Sequence, residues 1–292
     1  MFMTTLRNIK DNTNEDKRAR DKQARNIRAY DIFGNIALVK FSEGTKVSEK
    51  KKYALSLLSG NKSIKTVLEK SRKFKGRLRK QETKYIAGEK TKEVLYREND
   101  CVFRFNIDKT YFSPRLSNER KEILSLIKKK DKVLVMFAGA APYSIVIAKK
   151  AGAKVYSNEL NREANKYGRL NAELNKVKDK IEFVDGDIQR VAKAIKERLS
   201  VNGNLVPLQF DVIVMPRPQL KDSFLKEAFS LSKKGTRIYY YDFCKDDEIS
   251  LVVDKVKNEA LIAKKKIKVT KVKLAGEIGP YRYRIRVDLR VL

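Results

Sequence analysis

The chain has 292 residues, enough for one large core or two domains, and carries 67 Lys and Arg against 36 Asp and Glu, a formal net charge of +31. Such an excess predicts a polyanionic partner, nucleic acid rather than a membrane surface, because cations that neutralise phosphates release counterions. The chain has no histidine and only two, distant cysteines, which excludes zinc sites and histidine-based nucleophile pairs. It also lacks an apolar run of ~18 residues, which excludes membrane-spanning helices. We therefore expect a cytoplasmic protein without a metal site.

The first hundred residues fall into two parts. Residues 1–28 are polar and dense in charge, which predicts a flexible charged arm. Residues 29–100 contain a hairpin signal at Gly34-Asn35, a helical stretch at 48–59 and the densest basic run of the chain, residues 62–89. We therefore expect residues 29–100 to form a smaller, basic α+β module that binds RNA.

Residues 101–292 change to an alternation of strands and helices. The pattern predicts strands at 132–137, 154–157, 181–184, 210–215 and 236–241, helices at 143–151, 162–174, 188–199, 219–231 and 247–263, and two closing strands. Alternation of this kind builds a mostly parallel sheet with helices on both faces. The expected fold class is α/β, and a terminal antiparallel pair suits a class I methyltransferase-type Rossmann-like domain better than a dehydrogenase.

A cofactor site is predicted where the first three of these strands end. The first runs into Phe137-Ala138-Gly139, whose small residues allow close backbone approach to a ligand. The second ends at Glu159, about 20 residues further on, where such folds bind ribose hydroxyls. The third ends near Asp187, which suits an adenine amino group, and both acids also suit helix N-caps. S-adenosylmethionine (SAM) fits better than NAD, because a second glycine for a pyrophosphate is missing.

Two motifs connect the chain to a known family. Phe105–Arg120 (FNIDKTYFSPRLSNER) and Phe137–Ile145 (FAGAAPYSI) closely resemble the archaeal and eukaryotic tRNA guanine-37 N1-methyltransferases, whose fold is shared by wybutosine-pathway relatives. Arg79–Glu82, Ile86–Glu89 and the ending GTRIYYYDF resemble further segments of that family. The resemblance implies a monomeric SAM-dependent enzyme that methylates N1 of guanosine 37 and binds the anticodon arm of tRNA.

The resemblance also implies roles for individual residues. Glu119 resembles the general base that removes the N1 proton, and Arg79 the cation that stabilises negative charge on O6; with no histidine in the chain, a carboxylate is the sensible base. Tyr111 and the turn Ser113–Arg115 resemble the walls of the cofactor and guanine pocket. The complete cofactor set is Tyr111, Phe137, Ala138, Gly139, Glu159, Leu160, Asp187, Ile188 and Met215, and the RNA-binding set is Lys73, Lys75, Arg77, Arg115, Pro216 and Arg217.

Three positions depart from the family pattern and keep alternatives open. Val135 stands where an acid is usual, Ala140-Ala141-Pro142 replaces a glycine-rich turn, and Met215 replaces an asparagine at the end of the fourth strand. A methionine offers no side-chain hydrogen bond of the kind that orients a base. The alternatives are carbon methylation of a tricyclic guanosine derivative at the same position, aminocarboxypropyl transfer, and a degenerate RNA-binding protein without catalysis.

Overall fold

The structure is a computed structural model that describes residues 27–71, 78, 81–196, 199–201, 204–206, 208–217 and 219–292. Residues 1–26 of the expected charged arm therefore lie outside the described residues. The chain divides into two compact units, one of residues 1–74 and 81–96 and the other of residues 75–80 and 97–292. Within the described residues, no helix combines the length and the apolar character that crossing a membrane requires.

The described residues of the first unit form a four-stranded sheet covered by one helix. Its strands are paired in chain order, β1–β2 antiparallel, β2–β3 parallel and β3–β4 antiparallel, and helix α1 lies between β2 and β3 in sequence; the bounds are β1 Ile27–Phe33, β2 Ile36–Phe41, α1 Val47–Gly60, β3 Thr66–Lys70 and β4 Thr83–Gly88. A small core forms where Ala54 of α1 packs on Val39 and Val67 of the sheet. Gly34 makes the β1–β2 turn at φ +55°, and a Cβ there would lie 1.8 Å from the carbonyl oxygen of Leu95, so only glycine fits.

The second unit contains a seven-stranded sheet. Strand β5 (Glu93–Glu98) leads into it, and its own elements are β6 Cys101–Asn106, α2 Ser117–Ser125, β7 Lys132–Val135, α3 Pro142–Lys150, β8 Lys154–Glu159, α4 Arg162–Leu174, β9 Ile181–Asp185, α5 Ile188–Lys196, β10 Leu199–Val201, β11 Asn204–Val206, β12 Phe210–Met215, α6 Leu225–Ser230, β13 Ser232–Lys245, α7 Ile249–Ile262, β14 Ile267–Gly279 and β15 Arg282–Val291.

The order of the strands across this sheet is β14-β15-β13-β12-β7-β8-β9. The five strands from β13 to β9 are parallel, and β15 pairs antiparallel with both β13 and β14. This arrangement is a mostly parallel Rossmann-like sheet with a terminal antiparallel pair, which confirms the fold class expected from the alternating pattern.

Alternate residues of each central strand face opposite layers of the unit. Ile213 and Met215 of β12 pack in a core with Ile188 of α5, Phe229 of α6 and Val256 of α7. The intervening residues Val212 and Val214 are also fully buried. Burial of both faces explains why β12 is continuously apolar.

Two predicted helices differ from the observed ones by three residues or more at one end. Helix α5 ends at Lys196 rather than at residue 199, and the antiparallel pair β10–β11 follows it. Helix α6 begins at Leu225 rather than at residue 219. The guanidinium of Arg217 donates to the carbonyl oxygens of Leu220 (2.5 Å) and Asp222 (2.8 Å), which occupies acceptors that a longer helix would use.

Candidate active site

The ends of β7, β8 and β9 are joined by hydrogen bonds into one rim. The backbone N–H of Ala138 donates to the carbonyl of Asn158 (2.9 Å), and that of Gly186 to the carbonyl of Glu159 (2.9 Å). The side-chain amide of Asn158 donates to the carbonyls of Val184 (2.9 Å) and Gly186 (3.0 Å). Because three strand ends share these bonds, the loops after them are held at fixed positions around a crevice.

The loop after β7 is built from left-handed backbone conformations. Phe137 (φ +58°), Gly139 (φ +60°) and Ala141 (φ +65°) all have positive φ. A Cβ at Gly139 would lie 3.1 Å from the carbonyl oxygen of Tyr111, so glycine keeps the turn close to that segment. Positive φ at two residues with side chains costs about 1–3 kcal/mol each, and such conformations concentrate at ligand-binding loops.

Glu159 connects this loop to the end of β8. Its Oε2 accepts the backbone N–H of Gly139 at 2.7 Å, and its Oε1 accepts that of Asn161 at 2.7 Å. Burial raises the pKa of the carboxyl, and the backbone donors at Asn161, Gly139 and Leu160 oppose that rise. Three backbone donors use three of the carboxylate's roughly four acceptor positions, so one remains that can accept a ribose hydroxyl.

The crevice contains an open cleft lined by residues from the ends of all three strands. Phe137, Ile188 and Leu220 give it apolar walls suited to a base, while Glu159 and Asp187 supply carboxylates. Asp187 Oδ1 accepts the backbone N–H of Gln189 at 3.1 Å, so this acid also caps α5. The combination of apolar walls and carboxylate acceptors fits a nucleoside cofactor.

Glu119 lies in a separate buried cluster of charges. Its Oε1 accepts the hydroxyl of Tyr241 at 2.7 Å and a hydrogen bond from Nη1 of Arg286. Its Oε2 accepts from Nζ of Lys273 at 3.3 Å. Three strands, β13, β14 and β15, therefore surround this acid of α2 with one phenol and two cations.

Arg120, the next residue, has a different environment. Its guanidinium makes a two-pronged ion pair with Glu98 and donates to the carbonyl of Ser113 at 3.0 Å. The same group lies over the rings of Phe112 and Tyr143, 5.1 and 5.7 Å from their centres. Arg120 thus holds the Phe112-Ser113-Pro114 segment in place. Its role next to Glu119 is therefore structural.

Comparisons with known proteins agree with this geometry. A family model described as the TRM5/TYW2 methyltransferase domain matches residues 94–270. The tRNA (guanine(37)-N(1))/4-demethylwyosine(37)-methyltransferase Taw22 of Nanoarchaeum equitans is 34% identical over 90% of this chain and all of that protein. The tRNA (guanine(37)-N(1))-methyltransferase Trm5b of Pyrococcus abyssi is 31% identical over 90% of this chain and 74% of its own.

The chain belongs to the TRM5/TYW2 methyltransferase family. Solved structures agree: P. abyssi Trm5b superposes with a TM-score of 0.77 at 30% identity, covering 92% of this chain and 77% of that one. A complex of aTrm5 with tRNALeu gives 0.77 at 25% identity, covering 94% and 76%. The family predicted from YFSPRL and FAG is confirmed, as is the prediction of an enzyme that uses SAM as methyl donor.

The structure brings most of the predicted cofactor residues of this TRM5/TYW2 domain to one place. Those that line the cleft are Tyr111, Phe137, Gly139, Glu159, Leu160, Asp187 and Ile188. Ala138 and Met215 are buried and are not among its lining residues. The side chain of Met215, the last residue of β12, packs in the core. Side chains that the sequence analysis missed are Asn158 and Asn161, both in the cleft wall; polar residues at the end of an apolar strand were the available signal.

The predicted RNA-binding residues are dispersed. Arg115 is exposed, and Pro216 lines the cleft. Arg217 differs from the expectation of an RNA contact: it is buried, its Nη1 donates to Asp242 at 2.8 Å and its Nη2 holds its own loop. Its Nε has no hydrogen-bond partner among the described residues. Lys73, Lys75, Arg77 and the predicted O6-stabilising Arg79 lie outside the described residues.

Proposed function

We propose that this protein transfers a methyl group from SAM to N1 of guanosine 37 in tRNA, next to the anticodon. The observation that carries the proposal is Glu119, a buried carboxylate in the S-N-E-R motif whose Oε2 retains acceptor capacity. When bound, SAM supplies a methyl group on a sulfonium, an electrophile that needs an electron pair on N1. Glu119 supports this by accepting the N1 proton as the N–C bond forms, which is general-base catalysis.

The remaining residues of the cleft bind and orient. Glu159 accepts hydroxyl hydrogen bonds, Asp187 accepts from an amino group, and the apolar side chains of Phe137 and Ile188 exclude water around a base. The rigid rim made by Asn158 and Glu159 fixes these groups before a ligand arrives, which lowers the entropic cost of reaching a reactive geometry. We further propose that the protein acts in the cytoplasm, where tRNA is available as a substrate. We also propose that it acts as a monomer and binds the anticodon arm, which contains position 37.

A second candidate function is carbon methylation of 4-demethylwyosine at the same position. Two observations favour it as an additional activity: the relative from N. equitans carries both activities in its name, and Met215 stands where the family has an asparagine. The side chain of Met215 is fully buried, and a thioether has no hydrogen-bond donor with which to orient a guanine edge.

The deciding experiment incubates the protein with labelled SAM and unmodified tRNA transcripts that differ only at position 37. We expect N1-methylguanosine from the G37 transcript and no transfer to the A37 transcript. Transfer that persists with A37 contradicts the proposal. A third tRNA with 4-demethylwyosine at position 37 tests the second activity: a carbon-methylated product adds it, and transfer to this tRNA alone replaces the main proposal by it.

A further inference from the structure

The two carboxylate oxygens of Glu119 have different partners in the buried cluster. Resting on the proposed function, we propose that Arg286 and Tyr241 are positioning residues that fix Glu119 through Oε1 and so make Oε2 the atom that accepts the N1 proton. The N–H bond of guanine then breaks, an O–H bond forms at Oε2, and the electron pair left on N1 makes the bond to the methyl carbon.

Oε1 of Glu119 accepts hydrogen bonds from two donors whose side chains are held in place by burial. The Tyr241 hydroxyl lies 2.7 Å away, and Arg286 Nη1 makes the second hydrogen bond. Both side chains are almost completely buried, at 1% and 0% exposed. A carboxylate oxygen accepts about two hydrogen bonds, so Oε1 has no position left for a substrate proton.

Arg286 is itself locked by its other contacts. Its Nε donates to Asp288 Oδ1 (2.6 Å), while Nη2 donates to Asp288 Oδ2 (3.1 Å) and Glu122 Oε1 (2.8 Å). The guanidinium also lies over the ring of Tyr239, 5.8 Å from its centre. With two carboxylates and a ring fixing its plane, Arg286 presents Nη1 to Glu119 in one orientation.

Oε2 has a weaker and more accessible partner. Lys273 Nζ lies 3.3 Å away, the longest contact to Glu119, and the same ammonium makes a much closer ion pair with Glu122. Lys273 belongs to the edge strand β14, and its side chain is 31% exposed. Its flexible stem lets the ammonium remain with Glu122 when a substrate group approaches Oε2.

The charged and titratable groups that face Glu119 come from every neighbouring element. They are Glu122 on α2, Tyr241 on β13, Lys273 on β14 and Arg286 on β15, and the hydroxyl of Tyr143 on α3 lies 3.5 Å from that of Tyr241. Small displacements at a reacting group cost large factors in rate. The contacts to Oε1 therefore act on the rate of transfer through Glu119 and leave SAM binding untouched.

The test is a double-mutant cycle between Glu119 and each positioning residue, measured as single-turnover methylation of a G37 transcript. Glu119→Gln alone should lower the rate by about 10²–10⁴-fold. Tyr241→Phe, and separately Arg286→Lys, should each lower it by about 10- to 100-fold, the rate equivalent of a hydrogen bond to a charged group. In the Glu119→Gln background, the same changes should alter the residual rate by less than about threefold.

The adjacent Tyr240 supplies a matched control. Its hydroxyl donates to Asp242 at 2.6 Å instead of to Glu119, so the effect of Tyr240→Phe on rate should be the same with Glu or Gln at position 119. SAM affinity and melting temperature are measured for every variant. If Arg286→Lys does not fold, Tyr241→Phe, which loses only one hydroxyl, still tests the inference. Equal losses in both backgrounds for Tyr241→Phe overturn the inference. Failure of the wild-type protein to methylate G37 overturns the proposed function instead.

Discussion

Glu122, one helical turn after Glu119 on α2, shows how strongly single residues of the cluster depend on their neighbours. It receives hydrogen bonds from Lys273 and from Nη2 of Arg286. The hydrogen bond from Lys273, together with the one from Arg286 and their charges, lowers the pKa of Glu122 from 4.5 to about 2 against the opposing effect of burial. The acid is therefore ionised in the folded protein over the whole neutral range.

This shift predicts a pH-dependent contribution to stability. Because the pKa is lower in the folded than in the unfolded chain, ionised Glu122 stabilises the fold fully above its ordinary pKa of 4.5, and this contribution disappears as pH falls towards 2. The difference in unfolding free energy between wild type and Glu122→Gln, measured by urea at several pH values, should thus be largest above pH 4.5 and shrink below it. Glu173→Gln, at an exposed position of α4, should give no such trend; a pH-independent difference at Glu122 would contradict the expectation.

At the scale of elements, Asn171 of α4 and Asn175, the residue that caps the C-terminal end of that helix, complete the hydrogen bonding of strand β6. Asn171 accepts from the backbone N–H of Arg104 (2.7 Å) and donates to its carbonyl (3.0 Å). Asn175, one turn later, makes the same pair of bonds with Val102 (3.0 and 2.6 Å). A helix side chain thus takes the place of a neighbouring strand, which satisfies backbone groups that burial would otherwise leave unpaired.

Removing one of these amides should be costly. Asn171 is fully buried, and Asn171→Ala removes its two hydrogen bonds to the backbone of Arg104 and the one to the carbonyl of Ala140, so we expect a loss of about 2–4 kcal/mol in unfolding free energy. The exposed Glu173 on the same helix provides the control, since Glu173→Ala should change stability by less than about 0.5 kcal/mol. Equal effects at both positions in denaturant unfolding would show that the bonds to β6 contribute nothing.

At the scale of the whole molecule, the net charge of +31 should make the affinity for RNA depend strongly on salt concentration. Each neutralised phosphate releases a counterion, so the affinity for tRNA should fall about 10³-fold or more between about 50 and 200 mM salt. The measurement is a filter-binding or anisotropy titration in a salt series. SAM binding in the same buffers serves as the control and should change little, because the cleft is lined mainly by apolar and acidic residues. A flat response of tRNA affinity would remove the electrostatic interpretation of the charge.

The sequence predicted those features that depend on local pattern. Alternating apolar runs identified the five parallel strands, and small residues and acids at strand ends predicted the position of the cleft at the ends of β7, β8 and β9. The motif around Tyr111 to Arg120 identified the family. Helix ends were predicted less well, because the start of α6 depends on Arg217 holding carbonyls at Leu220 and Asp222, a contact that periodicity does not contain.

By itself, then, the sequence determined the fold class, the family, the cofactor and the polycationic character of the chain, because these follow from periodicity, motif and net charge. Only the tertiary structure decided that Arg217 is buried with Asp242, that Arg120 is paired with Glu98, and that Arg286 lies against Glu119. The partners of these ion pairs are 22 to 167 residues apart in the chain. Folding brings such distant charges together, and burial then determines which of them pair and which remain available for a substrate.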